Sequence, residues 1–155
     1  MKTLVLALGN PLLRDDGVAI RVAEELRRFS LDSEQIEIKT SSLSGLALLD
    51  EILGFEKVII LDAIQSGQRA VGEIFPIRIR EWEGMPIGPS PHYLGLPSVL
   101  KWSRLAGLEA PREMEILGIE VKDPFTFDEN LSAEVEAALP ALVQRLLDKL
   151  GHPTE

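Results

Sequence analysis

Cysteine is absent from the chain, histidine occurs twice, and aromatic residues make up 5% of it. Without thiols there is no disulfide framework, thiolate zinc site, iron–sulfur cluster or cysteine nucleophile. The absence fits a reducing compartment. Long apolar runs are also missing, since none nears the roughly 20 residues that span a bilayer. The opening Met1-Lys2-Thr3-Leu4-Val5-Leu6-Ala7-Leu8 has a charge and an apolar stretch. That stretch stops at Gly9-Asn10-Pro11, short of the roughly 7–15 residues of a signal-peptide core, so a cytoplasmic protein is expected. Positive charge is scarce. Sixteen Lys and Arg against 25 Asp and Glu leave a net charge of −9. Such a surface repels phosphate backbones and anionic lipid, which argues against nucleic acid and membranes as partners.

What is present reads as an α/β chain of 155 residues, long enough for one sizeable core. Leu4–Leu8 and Lys57–Asp62 are continuous apolar runs, as expected of strands buried on both faces of a parallel sheet. Ile36-Glu37-Ile38 and Met114–Val121 are further predicted strands. Glu73–Arg80 alternates apolar and polar residues and follows the Asp62 strand closely. It is predicted as an antiparallel neighbour of that strand, with Pro76 placing it at an edge. Helical spacing marks Val18–Leu26, Leu46–Leu53, Leu96–Leu105 and Ser132–Leu150, the last with Ser132 as N-cap and a kink at Pro140. Asp15 and Asp16 precede the first helix, where carboxylates cap free N–H groups and favour the positive end of the helix dipole. The expected fold is a three-layer α/β sandwich: a mostly parallel five-stranded sheet, one antiparallel edge strand, and helices on both faces. Residues 1–150 read as a single domain and 151–155 as a frayed tail.

Ligands in such sheets sit beyond the carboxyl ends of the strands, which directs attention to Gly9–Asp16, Asp62–Gly67 and the loop Gly84–Pro97. That loop holds four of the ten prolines. The first loop lacks both the dinucleotide and the P-loop glycine patterns, and its two carboxylates would repel a phosphate. Ser41, Ser42, Ser66 and Ser90 lie outside any G-x-S-x-G turn, and His152 lies in the tail. Asp16, Asp62 and His92 remain. Two carboxylates and one imidazole make a plausible three-point site for a divalent transition metal, with positions left open for another ligand. Each also has a plain structural reading: a helix start for Asp15 and Asp16, a turn for Asp62, a surface imidazole for His92. Trp82 and Trp102 read as packing or surface aromatics, and Arg78, Arg80, Glu56 and Lys57 as solvated charges.

Three ordered motifs add to this. Gly9-Asn10-Pro11-Leu12-Leu13-Arg14-Asp15-Asp16-Gly17, Leu61-Asp62-Ala63 and Ser90-Pro91-His92-Tyr93-Leu94-Gly95-Leu96 resemble the hydrogenase maturation endopeptidases, as do Leu117-Gly118-Ile119-Glu120 and Leu131–Val135. The likeness covers nearly the whole chain. It implies an endopeptidase that removes a C-terminal peptide from the nickel-loaded large-subunit precursor of a [NiFe]-hydrogenase. Asp16, Asp62 and His92 fall on that family's metal-contacting and catalytic positions, and the nickel is supplied by the substrate, with no organic cofactor. Two departures stand out. Thr40-Ser41-Ser42-Leu43 replaces the family's D-G-G-T-like segment, and Ala19 replaces a usual glycine. Competing readings are a non-catalytic nickel-sensing chaperone of the immature large subunit, a plain structural domain, and a peptidyl-tRNA hydrolase. The last wants a histidine after the first loop and a basic face, and neither is present.

An imidazole ligates only when neutral. Activity that depends on His92 is therefore expected to weaken as pH falls below about 6.5. A rate profile measured from about pH 8 to about pH 5 checks this, and a flat profile counts against His92 as a ligand.

Overall fold

A computed structural model describes residues 2–29, 31, 34–42, 47–77 and 96–151. Its elements in chain order are β1 (Thr3–Leu8), a 3-10 turn (Arg14–Gly17), α1 (Val18–Leu26), β2 (Ile36–Ser41) and α2 (Ala47–Ile52). There follow β3 (Lys57–Ile64), β4 (Ile74–Ile77), α3 (Leu96–Leu105), β5 (Glu113–Glu120) and α4 (Ala133–Lys149). The five strands form one sheet in the order β2-β1-β3-β5-β4. All neighbouring pairs are parallel except β4 with β5.

The continuous apolar runs arise because successive side chains enter opposite cores. Val5, Ala7, Ile59, Leu61, Leu117 and Ile119 pack with α1 and α4. Leu4, Leu6, Leu8, Val58, Ile60 and Ile116 pack with Leu48, Leu49 and Ile52 of α2 and Leu100 of α3. Helices therefore cover both faces of a mostly parallel sheet, as expected. Each fully buried Leu, Ile or Val contributes roughly 1.5–3 kcal/mol, so the central strands β1 and β3 anchor the molecule. Among the described residues no helix is long and apolar enough to cross a membrane.

β4 corrects one expectation. It is an antiparallel edge strand containing Pro76, but its partner is β5, with Ile74 opposite Ile119 and Pro76 opposite Leu117. The place beside β3 goes to β5, whose Ile116–Glu120 stretch is buried and gains most from a neighbour on each side. Pro76, which lacks an N–H, is exposed at the rim, where no further strand among the described residues needs its hydrogen bond. The expected strand continuation through Arg78, Ile79 and Arg80 lies outside the described residues. So do Trp82, Gly84–Gly95 with His92, Leu43, Leu46 and 152–155. α4 continues through Pro140, and Trp102 is exposed.

Gly118 is where three strands crowd together. It stands between Asp62 of β3 and Phe75 of β4. A Cβ there would lie 2.8 Å from Phe75 Cζ and 3.0 Å from both Ile64 Cγ1 and Ile77 Cδ1. Gly118→Ala is expected to destabilise the protein by about 1–3 kcal/mol, the usual cost of overpacking. Urea unfolding checks this, as a lower midpoint with an unchanged slope.

Candidate active site

Because β1 and β3 are parallel neighbours, their carboxyl ends open on the same edge of the sheet. β1 runs into Gly9, whose φ of +152° is open to glycine but not to side-chain-bearing residues. A Cβ on Gly9 would stand 2.0 Å from the Asp16 carbonyl oxygen. Only glycine lets the loop fold back this closely. The Asn10 N–H then donates to Asp16 Oδ2 at 2.8 Å, and the Leu12 N–H donates to Asn10 Oδ1 at 3.0 Å. The 3-10 turn carrying Asp16 lies against β3, and Asp62 sits near the end of β3, fully buried. The half-buried Asp16 and buried Asp62 thus stand on touching elements at one sheet edge. His92 lies outside the described residues, and among those residues no three His, Cys, Asp or Glu side chains are grouped closely enough to hold a metal. Two oxygen donors from one edge fit part of the donor set for a divalent ion.

Asp15 departs from the helix-capping expectation. No side chain caps the 3-10 turn or α1, and the Asp15 carboxylate turns instead to the segment between β5 and α4. It accepts hydrogen bonds from the N–H groups of Lys122 (3.2 Å) and Asp123 (2.9 Å), and from the N–H (2.7 Å) and hydroxyl (2.8 Å) of Ser132. Ser132 does occupy the N-cap position of α4, but its hydroxyl makes no cap bond and instead donates to Asp15. Burial of this charge is offset by those donors.

The same two loops are joined along their backbones. Arg14 N–H donates to Asp128 O (2.8 Å), Asp15 N–H to Asp123 O (3.0 Å) and Asp128 N–H to Leu12 O (2.9 Å). Arg14, at φ 40°, reaches Asp123 and Asp128 at 3.4 and 3.3 Å. Hydrogen bonds from the Thr126 hydroxyl and from the N–H groups of Phe125 and Thr126, with Arg14 beside them, lower the Asp123 pKa to about 2. The Asn130 N–H, with Arg14 assisting, likewise holds Asp128 below the ordinary carboxylate range.

Sequence reasoning did not single out Glu120. It is buried at the end of β5, pairs in register with Ile64, and accepts hydrogen bonds from the Ser66 N–H (2.9 Å) and hydroxyl. It therefore anchors the turn that follows β3. Its sequence signals were a charge at the end of an apolar strand and a place in the Leu117-Gly118-Ile119-Glu120 motif.

A family model for hydrogenase maturation proteases, HycI, matches residues 20–149. The hydrogenase 2 maturation protease of Escherichia coli K12 is 34% identical over 150 residues, covering 94% of this chain and 89% of that protein. This chain belongs to the hydrogenase maturation proteases, a peptidase family. Solved structures agree. The hydrogenase maturating endopeptidase HybD from E. coli superposes with a TM-score of 0.79 at 30% identity, covering 97% of this chain and 93% of that one. The [NiFe] hydrogenase maturation protease HybD from Thermococcus kodakarensis gives 0.70 at 26% identity, covering 97% and 99%. Membership of this peptidase family takes precedence over the chaperone, structural-domain and tRNA-hydrolase readings.

Two outcomes follow for this protease. Asp15→Ala leaves several inward donors without an acceptor, each costing about 1–3 kcal/mol, so a loss of about 3 kcal/mol or more is expected by denaturant unfolding. For Asp123, a folded pKa below the ordinary 3.8 means its stabilisation is complete above that value. It is lost as pH falls toward 2. Carboxyl-carbon NMR should show a midpoint near 2 that rises toward 3.8 in Thr126→Val.

Proposed function

We propose that this protease removes a C-terminal peptide from the large-subunit precursor of a [NiFe]-hydrogenase, and that nickel already seated in the precursor is its recognition signal. The observation that carries the reading is that, at the carboxyl edge of β1 and β3, the turn bearing Asp16 lies against β3, whose end bears Asp62, in a chain of this family. The proposed contacts to the precursor's nickel are Asp16, Asp62 and His92. Three donors, two of them carboxylates, leave room for the ligands the substrate keeps around its own metal.

The chain's own residues supply position and a proton acceptor. Asp16 is held in place by the Asn10 N–H, and Asp62 by its strand. Hydrolysis adds a water oxygen to the scissile carbonyl carbon and breaks the C–N bond. The water proton passes through a carboxylate to the leaving amine, a role open to either Asp16 or Asp62. An incomplete site has a functional logic, since a protease that kept a tight metal of its own could not use the substrate's metal as a checkpoint.

Mass spectrometry of nickel-loaded and nickel-free precursors tests this. Wild-type protein should release a C-terminal peptide only from the loaded form, and Asp62→Asn should slow release by about 10²-fold or more. Equal cleavage of the nickel-free form would sink the checkpoint, and no cleavage of any precursor would sink the assignment.

A further inference from the structure

The segment between β5 and α4 exposes two phenylalanines that the fold does not use. Phe125 is 75% exposed and Phe127 80%, and Leu12, on the loop bonded to this segment, is 42% exposed. Scattered single exposures are ordinary, but these three residues stand on two loops joined by hydrogen bonds. Asp128 N–H donates to Leu12 O, and Leu13 forms a parallel bridge with Asp128. The rings are also held where they are. Asp123 Oδ1 accepts from the N–H groups of Phe125 and Thr126 at 3.0 Å each, and the Thr126 hydroxyl between the rings is turned back to Asp123. Arg14 ties Asp123 and Asp128 to the first loop. A loop this constrained cannot collapse its aromatics into the core, and rigid aromatics presented to solvent are the usual anchors of protein interfaces.

Two further facts say what covers them. The loop bearing Leu12 continues directly into Asp16, so the patch borders the edge where Asp16 and Asp62 stand. Its surroundings are acidic. Asp123, Asp128, Glu129, Glu134 and Glu136 outnumber Arg14, Lys122 and Arg21 there, and those three cations already form ion pairs with this set.

We infer that Leu12, Phe125 and Phe127 form the docking surface for the protein substrate, taking an apolar segment of the precursor flanked by basic residues. Seating that segment leads the precursor's C-terminal peptide to the carboxylates at the sheet edge. The inference rests on the proposed function. It adds that affinity is built at a place separate from the cleavage chemistry, so that the two can be changed independently.

The test is steady-state cleavage of the nickel-loaded precursor by the full-length protease carrying Phe125→Ser with Phe127→Ser, or Phe125→Leu with Phe127→Leu. Precursor binding is measured in parallel. Both pairs should melt close to wild type, because the rings are exposed. The serine pair should raise KM and Kd by about tenfold or more, as loss of interface anchors does, while kcat holds. The leucine pair should restore most of the affinity, and added salt should weaken wild-type binding. Wild-type cleavage with KM unchanged in the serine pair overturns the docking surface and leaves the proposed function standing. A dimer that the serine pair dissociates without a change in KM assigns the patch to a second copy and also overturns it. Wild-type protein that neither binds nor cuts any precursor overturns both readings.

Discussion

A single buried carboxylate organises the loops at the carboxyl ends of β1 and β5. Asp15 is closed off from solvent and takes hydrogen bonds from Lys122, Asp123 and Ser132, joining the loop after β1 to the loop before α4. A charge that deep is tolerable only because donors surround it, and those donors belong to a segment more than a hundred residues away in sequence. The start of α4, the Arg14 clamp on Asp123 and Asp128, and the position of Asp16 all depend on that junction. Without the carboxylate the backbone bonds and the Arg14 ion pairs would still join the loops, but the inward N–H groups of Lys122, Asp123 and Ser132 would lose their acceptor.

Adjacent aspartates consequently do different work. Asp15 is spent on architecture, while Asp16, its half-buried neighbour, accepts a hydrogen bond from the nearby Asn10 N–H and sits on the turn that lies against β3, the strand of Asp62. A similar division separates the two acids on the α2/α3 face of the sheet. Glu120 anchors the Ser66 turn with both oxygens, whereas Asp62 lies opposite Gly118, a position where Phe75, Ile64 and Ile77 leave no room for a side chain. Residue type alone does not show which acids are tied into the fold; the long-range donors that Asp15 and Glu120 accept do.

Most of the fold was legible because strand burial leaves a local trace. The runs Leu4–Leu8 and Lys57–Asp62 are apolar throughout since both faces are covered, and the helices carry an apolar stripe on one side only. The placement of β4 was not legible. Alternation and Pro76 mark an edge strand, but which edge depends on whether β5 inserts beside β3, a competition between distant segments. Among the candidate site residues, Asp16 and Asp62 could be singled out from their positions after strands, and His92 from its proline-rich loop and motif. The duty of Asp15 could not, because its partners are encoded at 122–132.

By itself, then, the sequence determined the α/β class, the two-faced central strands, the family and the short set of residues worth testing, since periodicity, glycine and motif order are local properties of the chain. Only the tertiary structure decided which aspartate is structural, where β4 pairs, that Glu120 is an anchor, and that Phe125 and Phe127 stand exposed beside the sheet edge. These are outcomes of long-range hydrogen bonding and packing. A buried charge is stabilised by whichever donors the fold brings to it, and no local pattern names them in advance.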